Sequence, residues 1–223
     1  NPYEMVSNPY YQFSMCFQRL YPYAIFRLRQ KEQSNEVHKV AYLTFDDGPI
    51  PEVTPRVLDI LKQYGVKATF FMVGENIDKY PDLYRRVIAE GHAVGNHTYH
   101  HVKGMKMSTA KYLDEVEEWE KAAERHAHVS TRLFRPPYGR TWWWQRKAIA
   151  QRGYQIYLWD VLTHDYSACQ SPEKMMKTIR RYTRNGSIIN FHDSIKSNER
   201  MLDTLPQAIQ FLQSHGYTLL PLQ

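Results

Sequence analysis

The sequence predicts an α/β fold built on a parallel sheet, because strand-like and helix-like segments alternate from residue 40 onward. A chain of 223 residues, of which 43% are hydrophobic, is long enough for one sizeable core. It has no low-complexity tract, internal repeat or Gly/Ser linker. About seven βα units fit either an open sheet or a (β/α) barrel with outer helices, and periodicity alone does not choose between them.

Short apolar segments are predicted to be strands where each ends at glycine, proline or polar residues. Apolar residues at helical spacing predict helices between them. Ser108 and Ser171 are the predicted N-caps of two of these helices. The strands cover residues 40–45, 68–73, 93–94, 132–134, 154–161, 187–191 and 217–220, and the helices residues 57–64, 83–90, 108–124, 142–151, 172–185 and 205–214.

The charge distribution argues against a nucleic-acid binder. The formal net charge is +6, but lysine and arginine are scattered among acidic residues and form no basic stripe. A positive balance favours an acidic polymer or surface as partner.

Residues 1–39 are expected to form an N-terminal extension packed on a domain of residues 40–223. Aromatic, aliphatic and basic side chains mix in residues 16–31, so peripheral membrane contact is the alternative. No apolar run approaches the ~20 residues of a transmembrane helix. No signal peptide is visible, and the compartment stays open. Cys16 and Cys169 form no CxxC pair, and the sequence leaves open whether they bond to each other.

Polar side chains cluster at the carboxyl ends of the predicted strands. These ends share one face of a parallel sheet or barrel, which is where such folds place active sites. The residues are Asp46 and Asp47, His97 and His101, Arg135 and Tyr138, Asp160 and Asp165, and His192 and Asp193.

His97 and His101 are four residues apart, so one helical turn can direct both imidazoles at one point. A carboxylate from Asp47 would complete a two-histidine, one-carboxylate set with open positions, the pattern of catalytic metal sites. Among divalent metals the set favours zinc, and cobalt, nickel and iron also fit. The spacing of His100 from His97 also permits coordination, so the pattern alone does not choose between His100 and His101.

Hydrolysis of an amide or ester needs a base for the water and an acid for the leaving group. Asp46 lies next to the predicted ligand Asp47 and can face the water. His192 is the natural acid, and Asp165 can hold it protonated and oriented. Arg135 either orients Asp46 or forms a buried salt bridge with no catalytic role.

Together these stretches resemble the polysaccharide deacetylase family, the carbohydrate esterases with a NodB-homology domain, over about residues 40–220. The resemblance rests on residues 44–49 (TFDDGP), 97–101 (HTYHH), 135–138 (RPPY) and 189–192 (INFH). It implies a distorted (β/α) barrel that uses a divalent metal to deacetylate an acetylated glycan.

The resemblance also implies residue roles. Asp46 would be the general base, His192 the general acid, and Asp47, His97 and His101 the metal ligands, which favours His101 over His100. Arg135 would contact the base, and the backbone N–H of Tyr138 would help to hold the oxyanion. The expected substrate contacts are Pro137, Trp159, Tyr166 and Phe191, with Phe191 shaping the acetyl pocket.

The fourth family motif departs from the usual pattern. In residues 159–166 (WDVLTHDY), Leu162 and Tyr166 stand where the family often has Asp and Trp, whereas Asp165 is kept. Tyr166 can stack on a sugar ring, but less broadly than Trp. The aromatic side of the sugar-binding site is therefore the part that the resemblance defines least.

The predicted function is removal of N-acetyl groups from a glycan that contains N-acetylglucosamine, such as peptidoglycan or a chitin-like polymer. An O-acetyl esterase acting on xylan would use the same machinery. A catalytically inactive glycan-binding module is the rival from another class, and the presence of base, acid and ligands argues against it. The Trp142–Trp144 run could bind sugar, but a helix with one face in the core predicts that at least one of these rings is buried.

Overall fold

A computed structural model describes residues 21–28 and 39–223 and contains a nine-stranded sheet in which all strand pairs are parallel. The strand order is β1-β6-β5-β4-β3-β2-β8-β7, and β9 also pairs with β2. The strands are β1 (Ala24–Ile25), β2 (Lys39–Asp46), β3 (Thr69–Met72), β4 (Ala93–Asn96), β5 (Leu133–Phe134), β6 (Gln155–Tyr157), β7 (Val161–Leu162), β8 (Ser187–His192) and β9 (Tyr217–Leu219).

Seven α-helices surround the described part of the sheet. Two begin at the serines predicted as caps: Ser108 Oγ accepts a hydrogen bond from the Lys111 N–H, and Ser171 Oγ accepts one from the Lys174 N–H. The helices are α1 (Thr54–Gln63), α2 (Gly74–Lys79), α3 (Pro81–Ala89), α4 (Thr109–Ala127), α5 (Trp143–Gln151), α6 (Pro172–Tyr182) and α7 (Asn198–Ser214).

The link between β6 and β7 shows that the sheet curls into a distorted barrel. These strands stand six places apart in the strand order. In a flat sheet that would separate them by about 29 Å, at ~4.8 Å per strand. Only residues 158–160 join them, and such a link spans at most about 15 Å. The Leu158 N–H donates to the Ile25 carbonyl at 2.8 Å, and the Asp160 N–H to the Ile188 carbonyl at 2.9 Å.

Alternate residues of each strand face two different cores. On β2, Leu43 and Phe45 belong to the larger core between sheet and helices. Tyr42 faces the barrel interior, where it joins buried side chains from the strands and the C-terminal segment and none from a helix. Thr44 and Asp46 continue the inward face toward the carboxyl end of β2. Polar groups therefore lie at that end of the barrel, above the apolar side chains of its interior.

The structure confirms the βα alternation and corrects three of its elements. The single strand predicted over residues 154–161 is wrong, because the chain leaves one side of the barrel after Tyr157 and pairs on the other side from Val161. Helix α2 was not predicted, since its short sequence carries no apolar stripe. Helix α7 begins at Asn198 and accommodates Pro206, near which the sequence predicts its start.

Much of the predicted N-terminal extension lies outside the described residues, including Cys16 and half of the proposed membrane-contacting segment. Within the described part, Ala24 and Ile25 form β1 against β6, and Cys169 is exposed. Among the described helices, none is both long and apolar enough to cross a bilayer.

Candidate active site

Arg135 forms the floor of the candidate site at the carboxyl end of the barrel. It follows β5 and is completely buried. Its guanidinium donates to the backbone carbonyls of Tyr157 and Leu158, both at 3.1 Å. It also donates to Thr44 Oγ1 at 2.8 Å and Asn190 Oδ1 at 2.9 Å. These contacts fix a planar cation inside the barrel.

Asp46 accepts the remaining hydrogen bond of this guanidinium, from Arg135 Nη1 to Asp46 Oδ1 at 2.7 Å. Both side chains are buried, so little solvent screens the ion pair. Burial lowers the pKa of Arg135 while the charge of Asp46 raises it. The pair holds the Asp46 carboxylate in one orientation. Asp46 is the register partner of His192 on the adjacent strand β8.

The structure brings Asp47, His97 and His101 together. Asp47 Oδ1 lies 3.2 Å from His101 Nε2 and 3.7 Å from His97 Nε2. One ligand atom from each residue lies within 4.8 Å of the others, an arrangement that could hold a metal ion. Burial alone would raise the pKa of Asp47, but its bond to His101 and the neighbouring imidazoles bring it below the ordinary value.

His97 tests whether this cluster fits a cation. Its Nδ1 lies 2.7 Å from the Arg135 carbonyl, which can only accept, so Nδ1 carries the proton. Burial lowers the pKa of His97 to about 4, which keeps the ring neutral near pH 7. The lone pair therefore sits on Nε2, which is buried and has no hydrogen-bond partner among the described residues. A buried lone pair aimed at a carboxylate fits a metal ligand.

His100 faces away from this cluster. Its Nδ1 lies 2.9 Å from Glu115 Oε1, and its backbone N–H donates to Glu115 Oε2 at 2.8 Å. The ring is exposed on the side of α4. Of the two histidines that the spacing left open, His101 is the one beside Asp47 and His97.

Asp165 and His192 form a second pair at the same end of the barrel. Asp165 Oδ1 lies 2.8 Å from His192 Nδ1, and Asp165 Oδ2 accepts the His192 backbone N–H at 2.7 Å. Burial alone would lower the pKa of His192, but the contact with Asp165 and the charges of Asp47 and Asp46 raise it to about 9. His192 is therefore held protonated, with Nδ1 committed to Asp165.

Two tyrosines stand at the mouth. The Tyr138 ring lies 4.8 Å from the His101 ring and is half exposed. The Tyr166 ring stands edge-on to His192 at 5.0 Å, and its hydroxyl bonds to His164 Nδ1 at 2.9 Å. Pro137 is buried in the short turn that carries Tyr138.

Phe191 and Trp159 are placed differently from expectation. Phe191 stacks on Phe45 in the core under the helices, because it points away from the face that His192 occupies. It cannot line an acetyl pocket, which corrects that prediction. Trp159 is 9% exposed and packs with Leu158 and Leu162, 5.9 Å from the Arg135 guanidinium. Trp159 therefore packs beneath the candidate site, beside Arg135, and contributes little to the opening of the site.

Several site residues have a left-handed backbone. In the described residues, seven that are not glycine have positive φ, and five of these lie in the loops of the site. Such a backbone costs of order 1–3 kcal/mol per residue and persists where the surroundings impose it. The five residues are Asp47 (84°), Thr98 (64°), His101 (54°), Tyr138 (60°) and His164 (57°).

Three further residues of the site had no role predicted from the sequence: Asn190, Thr44 and Asp193. Asn190 and Thr44 are register partners that receive Arg135, and strand alternation inward from Asp46 and His192 would have identified them. Asp193 accepts the Gly48 N–H at 3.1 Å and the Thr54 hydroxyl at 2.6 Å. It fixes the loop after β2, and no sequence pattern indicates this.

The fold and the site together define the class: a distorted (β/α) barrel with its polar groups at the carboxyl ends of the strands. The polysaccharide deacetylase family matches residues 33–157, which is more than half of the chain. The chain belongs to this family.

A curated relative supports the family assignment. A peptidoglycan-N-acetylglucosamine deacetylase of Bacillus cereus is 36% identical over 175 residues, which are 78% of this chain and 63% of that protein. This chain therefore spans less than two thirds of the length of that relative.

Two solved structures of the family are similar to this chain. One is a peptidoglycan N-acetylglucosamine deacetylase, with a TM-score of 0.84 at 32% identity, covering 94% of this chain and 95% of that chain. The other is a family pseudoenzyme from Bacillus anthracis, with a TM-score of 0.78 at 25% identity, covering 91% of this chain and 68% of that chain.

Proposed function

We propose that this chain removes N-acetyl groups from N-acetylglucosamine units of a polysaccharide or oligosaccharide, with residues 40–223 as the catalytic domain. One observation carries the proposal: the Asp47, His97 and His101 cluster, the Asp46–Arg135 pair and the His192–Asp165 pair converge at one end of the barrel. The similarity to peptidoglycan deacetylases supports the substrate class.

Asp47, His97 and His101 would hold a divalent cation, for which zinc suits two imidazoles and a carboxylate. When bound, such a cation supplies Lewis acidity that activates water and polarises the acetyl carbonyl. The neutral His97 is ready to ligate because its proton already sits on Nδ1.

Asp46 would act as the general base that takes a proton from the attacking water. Arg135 holds this carboxylate in one orientation, which is the role of a positioning residue. The water oxygen forms a bond to the acetyl carbon as the proton moves to Asp46.

His192 would act as the general acid. Since Nδ1 faces Asp165, the proton on Nε2 is the one available to the leaving nitrogen. Its transfer allows the carbon–nitrogen bond to break, which gives acetate and a free amino sugar. The backbone N–H of Tyr138, on a left-handed residue beside His101, would hold the carbonyl oxygen as negative charge develops.

Two other functions are compatible with this fold and site. An O-acetyl esterase acting on xylan would need the same base, acid and cation. A catalytically inactive glycan-binding module is a real alternative, since the family includes a pseudoenzyme. The complete base, acid and cluster in this chain favour an enzyme.

Acetate release tests the proposal. We expect release from N-acetylated chitooligosaccharides or peptidoglycan with zinc or cobalt supplied, and its loss with a chelator. Asp46→Asn should abolish nearly all turnover while the protein still binds the cation. Release from acetylxylan alone would favour the esterase. Absence of release from every acetylated glycan, with metal bound, would refute the enzyme.

A further inference from the structure

The start of α5 carries an exposed aromatic surface that the chemistry above does not use. Trp142, Trp143 and Trp144 are 40%, 53% and 44% exposed, and Met105 beside them is 39% exposed. The expectation that the core buries at least one of these rings is therefore wrong. These four residues are named the tryptophan surface below.

We propose that the tryptophan surface binds the glycan chain of the substrate, at sugar units beyond the one that is deacetylated. This inference rests on the proposed function and deepens it, because it makes a long glycan chain, and not a short oligomer, the preferred substrate.

The rings form an ordered arrangement. The Trp142 ring stacks on the Trp144 ring at 5.0 Å with planes 9° apart, and the Trp143 ring meets Trp144 edge-on at 5.8 Å. The Trp142 indole N–H donates to the Met105 carbonyl at 3.3 Å. Rings fixed in this way lose little side-chain entropy when a ligand packs on them. Aromatic faces with polar edges suit sugar rings, which have apolar C–H faces and polar rims.

The position of the surface connects it to the candidate active site. Both lie on the loops that follow the carboxyl ends of strands, since α5 comes after β5 through the Tyr138 turn. The Tyr138 ring contacts the His101 ring, and Lys103 Nζ lies 4.8 Å from the centroid of the Tyr138 ring. Tyr138 and Trp142 are four residues apart, so their Cα atoms lie within about 15 Å. An extended chain bound at one place can reach the other.

The surrounding charges indicate what kind of chain fits. Exposed basic side chains flank Met105 in the sequence, and others flank the Trp142–Trp144 run. This positive charge favours a glycan with carboxylate substituents over a neutral one. These residues are Lys103, Lys106, Arg140 and Lys147.

A membrane is the other partner with this chemistry, because tryptophan and basic residues also dock proteins on anionic bilayers. Position decides against it. Tyr138 contacts His101 and lies only four residues before Trp142, so a bilayer seated on the tryptophan surface would crowd the opening through which the glycan enters.

Kinetics on long and short substrates test the proposal. The quantity to compare is kcat/KM on a long N-acetylated glycan divided by kcat/KM on an N-acetylated trisaccharide. For Trp144→Ala, we expect this ratio to fall about fivefold, the effect of losing one aromatic contact. Trp144→Phe keeps a flat ring and should recover most of the ratio. Tyr80→Ala, which removes an exposed ring between α2 and α3, is the control and should not change it. An unchanged ratio in Trp144→Ala would refute the proposal.

Binding gives a readout that does not depend on turnover. Chelator-treated wild type should sediment with insoluble acetylated glycan, and Trp144→Ala should sediment less. If Trp144→Ala instead loses sedimentation with anionic phospholipid vesicles and keeps that with glycan, the surface binds membranes and the proposal is wrong. If wild type releases no acetate but binds glycan through Trp144, the surface stands and the proposed enzyme fails.

Discussion

Three histidines within five residues have different surroundings, and their backbone explains why. Thr98 and His101 both have positive φ, so the segment after β4 is not the single helical turn that the spacing predicted. His100 instead lies against Glu115, whereas His101 lies beside Asp47. The spacing alone left His100 and His101 open, and the family resemblance favoured His101. The loop geometry gives the physical reason, because it places His101 and not His100 beside Asp47.

His101→Ala and His100→Ala should therefore separate cleanly. We expect His101→Ala to weaken zinc affinity by at least about tenfold, the lower end of what disturbing a metal site costs. His100→Ala should leave the affinity within about twofold, because its ring binds Glu115 on the surface. Competition with a chromophoric chelator measures both. The reverse order of affinities would place the wrong histidine in the cluster.

His192 predicts a pH dependence of stability. Its pKa in the folded chain is about 9, above the ordinary 6.5. The stabilisation from its protonated form is therefore complete below pH 6.5 and is lost as pH rises through about 9, an effect of about 3 kcal/mol. Asp165→Asn removes the charge partner, so the variant should lose less unfolding free energy than wild type over this interval.

Denaturant unfolding of chelator-treated protein on both sides of the interval measures this difference. Other groups that titrate in the same range are shared by the two proteins and cancel in the comparison. Equal slopes for wild type and Asp165→Asn would mean that Asp165 does not hold His192 protonated.

At the scale of elements, Asp193 joins three parts of the chain: the end of β8, the loop after β2 and the start of α1. It does so through the Gly48 N–H and the Thr54 hydroxyl. A Cβ on residue 48 would overlap the Asp193 carboxylate. The glycine is therefore needed where the loop that carries Asp47 passes close to β8.

Gly48→Ala should destabilise the protein by about 1–3 kcal/mol, the usual cost of forcing an atom into a packed site. It should also weaken zinc binding, because Asp47 is the adjacent residue. The control is Gly65→Ala, whose Cβ meets nothing within 4 Å and which adds only the strain of a positive φ. Denaturation and zinc titration of both variants check this, and unchanged zinc affinity in Gly48→Ala would contradict the link.

The sequence predicts elements well where one signal dominates. Serine caps and apolar stripes placed α4 and α6, and breakers after apolar runs placed the ends of β2 and β8. Prediction failed where tertiary contacts decide. Residues 154–161 have the composition of one strand, yet barrel closure divides the segment between two strands. At least one ring of Trp142–Trp144 was expected in the core, but α5 buries other residues, including Gln145 and Ile149.

For the whole molecule, the Asp47, His97 and His101 cluster connects the loop after β2 with the loop after β4. A cation bound there would cross-link two strand ends only in the folded chain, and binding to the folded state alone raises stability. Zinc at about 100 times its Kd should add about 2.7 kcal/mol. For a domain of this size that raises Tm by roughly 5–10 °C.

Thermal denaturation with and without zinc measures this shift without any substrate. His97→Ala should abolish it, since the variant lacks the buried lone pair. His215→Ala, at the far end of α7, is a histidine control that should keep the shift. A shift that persists in His97→Ala would show that zinc binds elsewhere.

The left-handed residues in the site loops also affect how the protein can be improved. Thr98, Tyr138 and His164 have backbones that glycine or asparagine adopts with less strain. Directed evolution for heat resistance alone should therefore enrich glycine or asparagine at these positions. Each exchange would relax a loop that holds a proposed metal ligand, the proposed oxyanion donor or the proposed sugar-contacting ring, so the heat-resistant descendants should be slower catalysts.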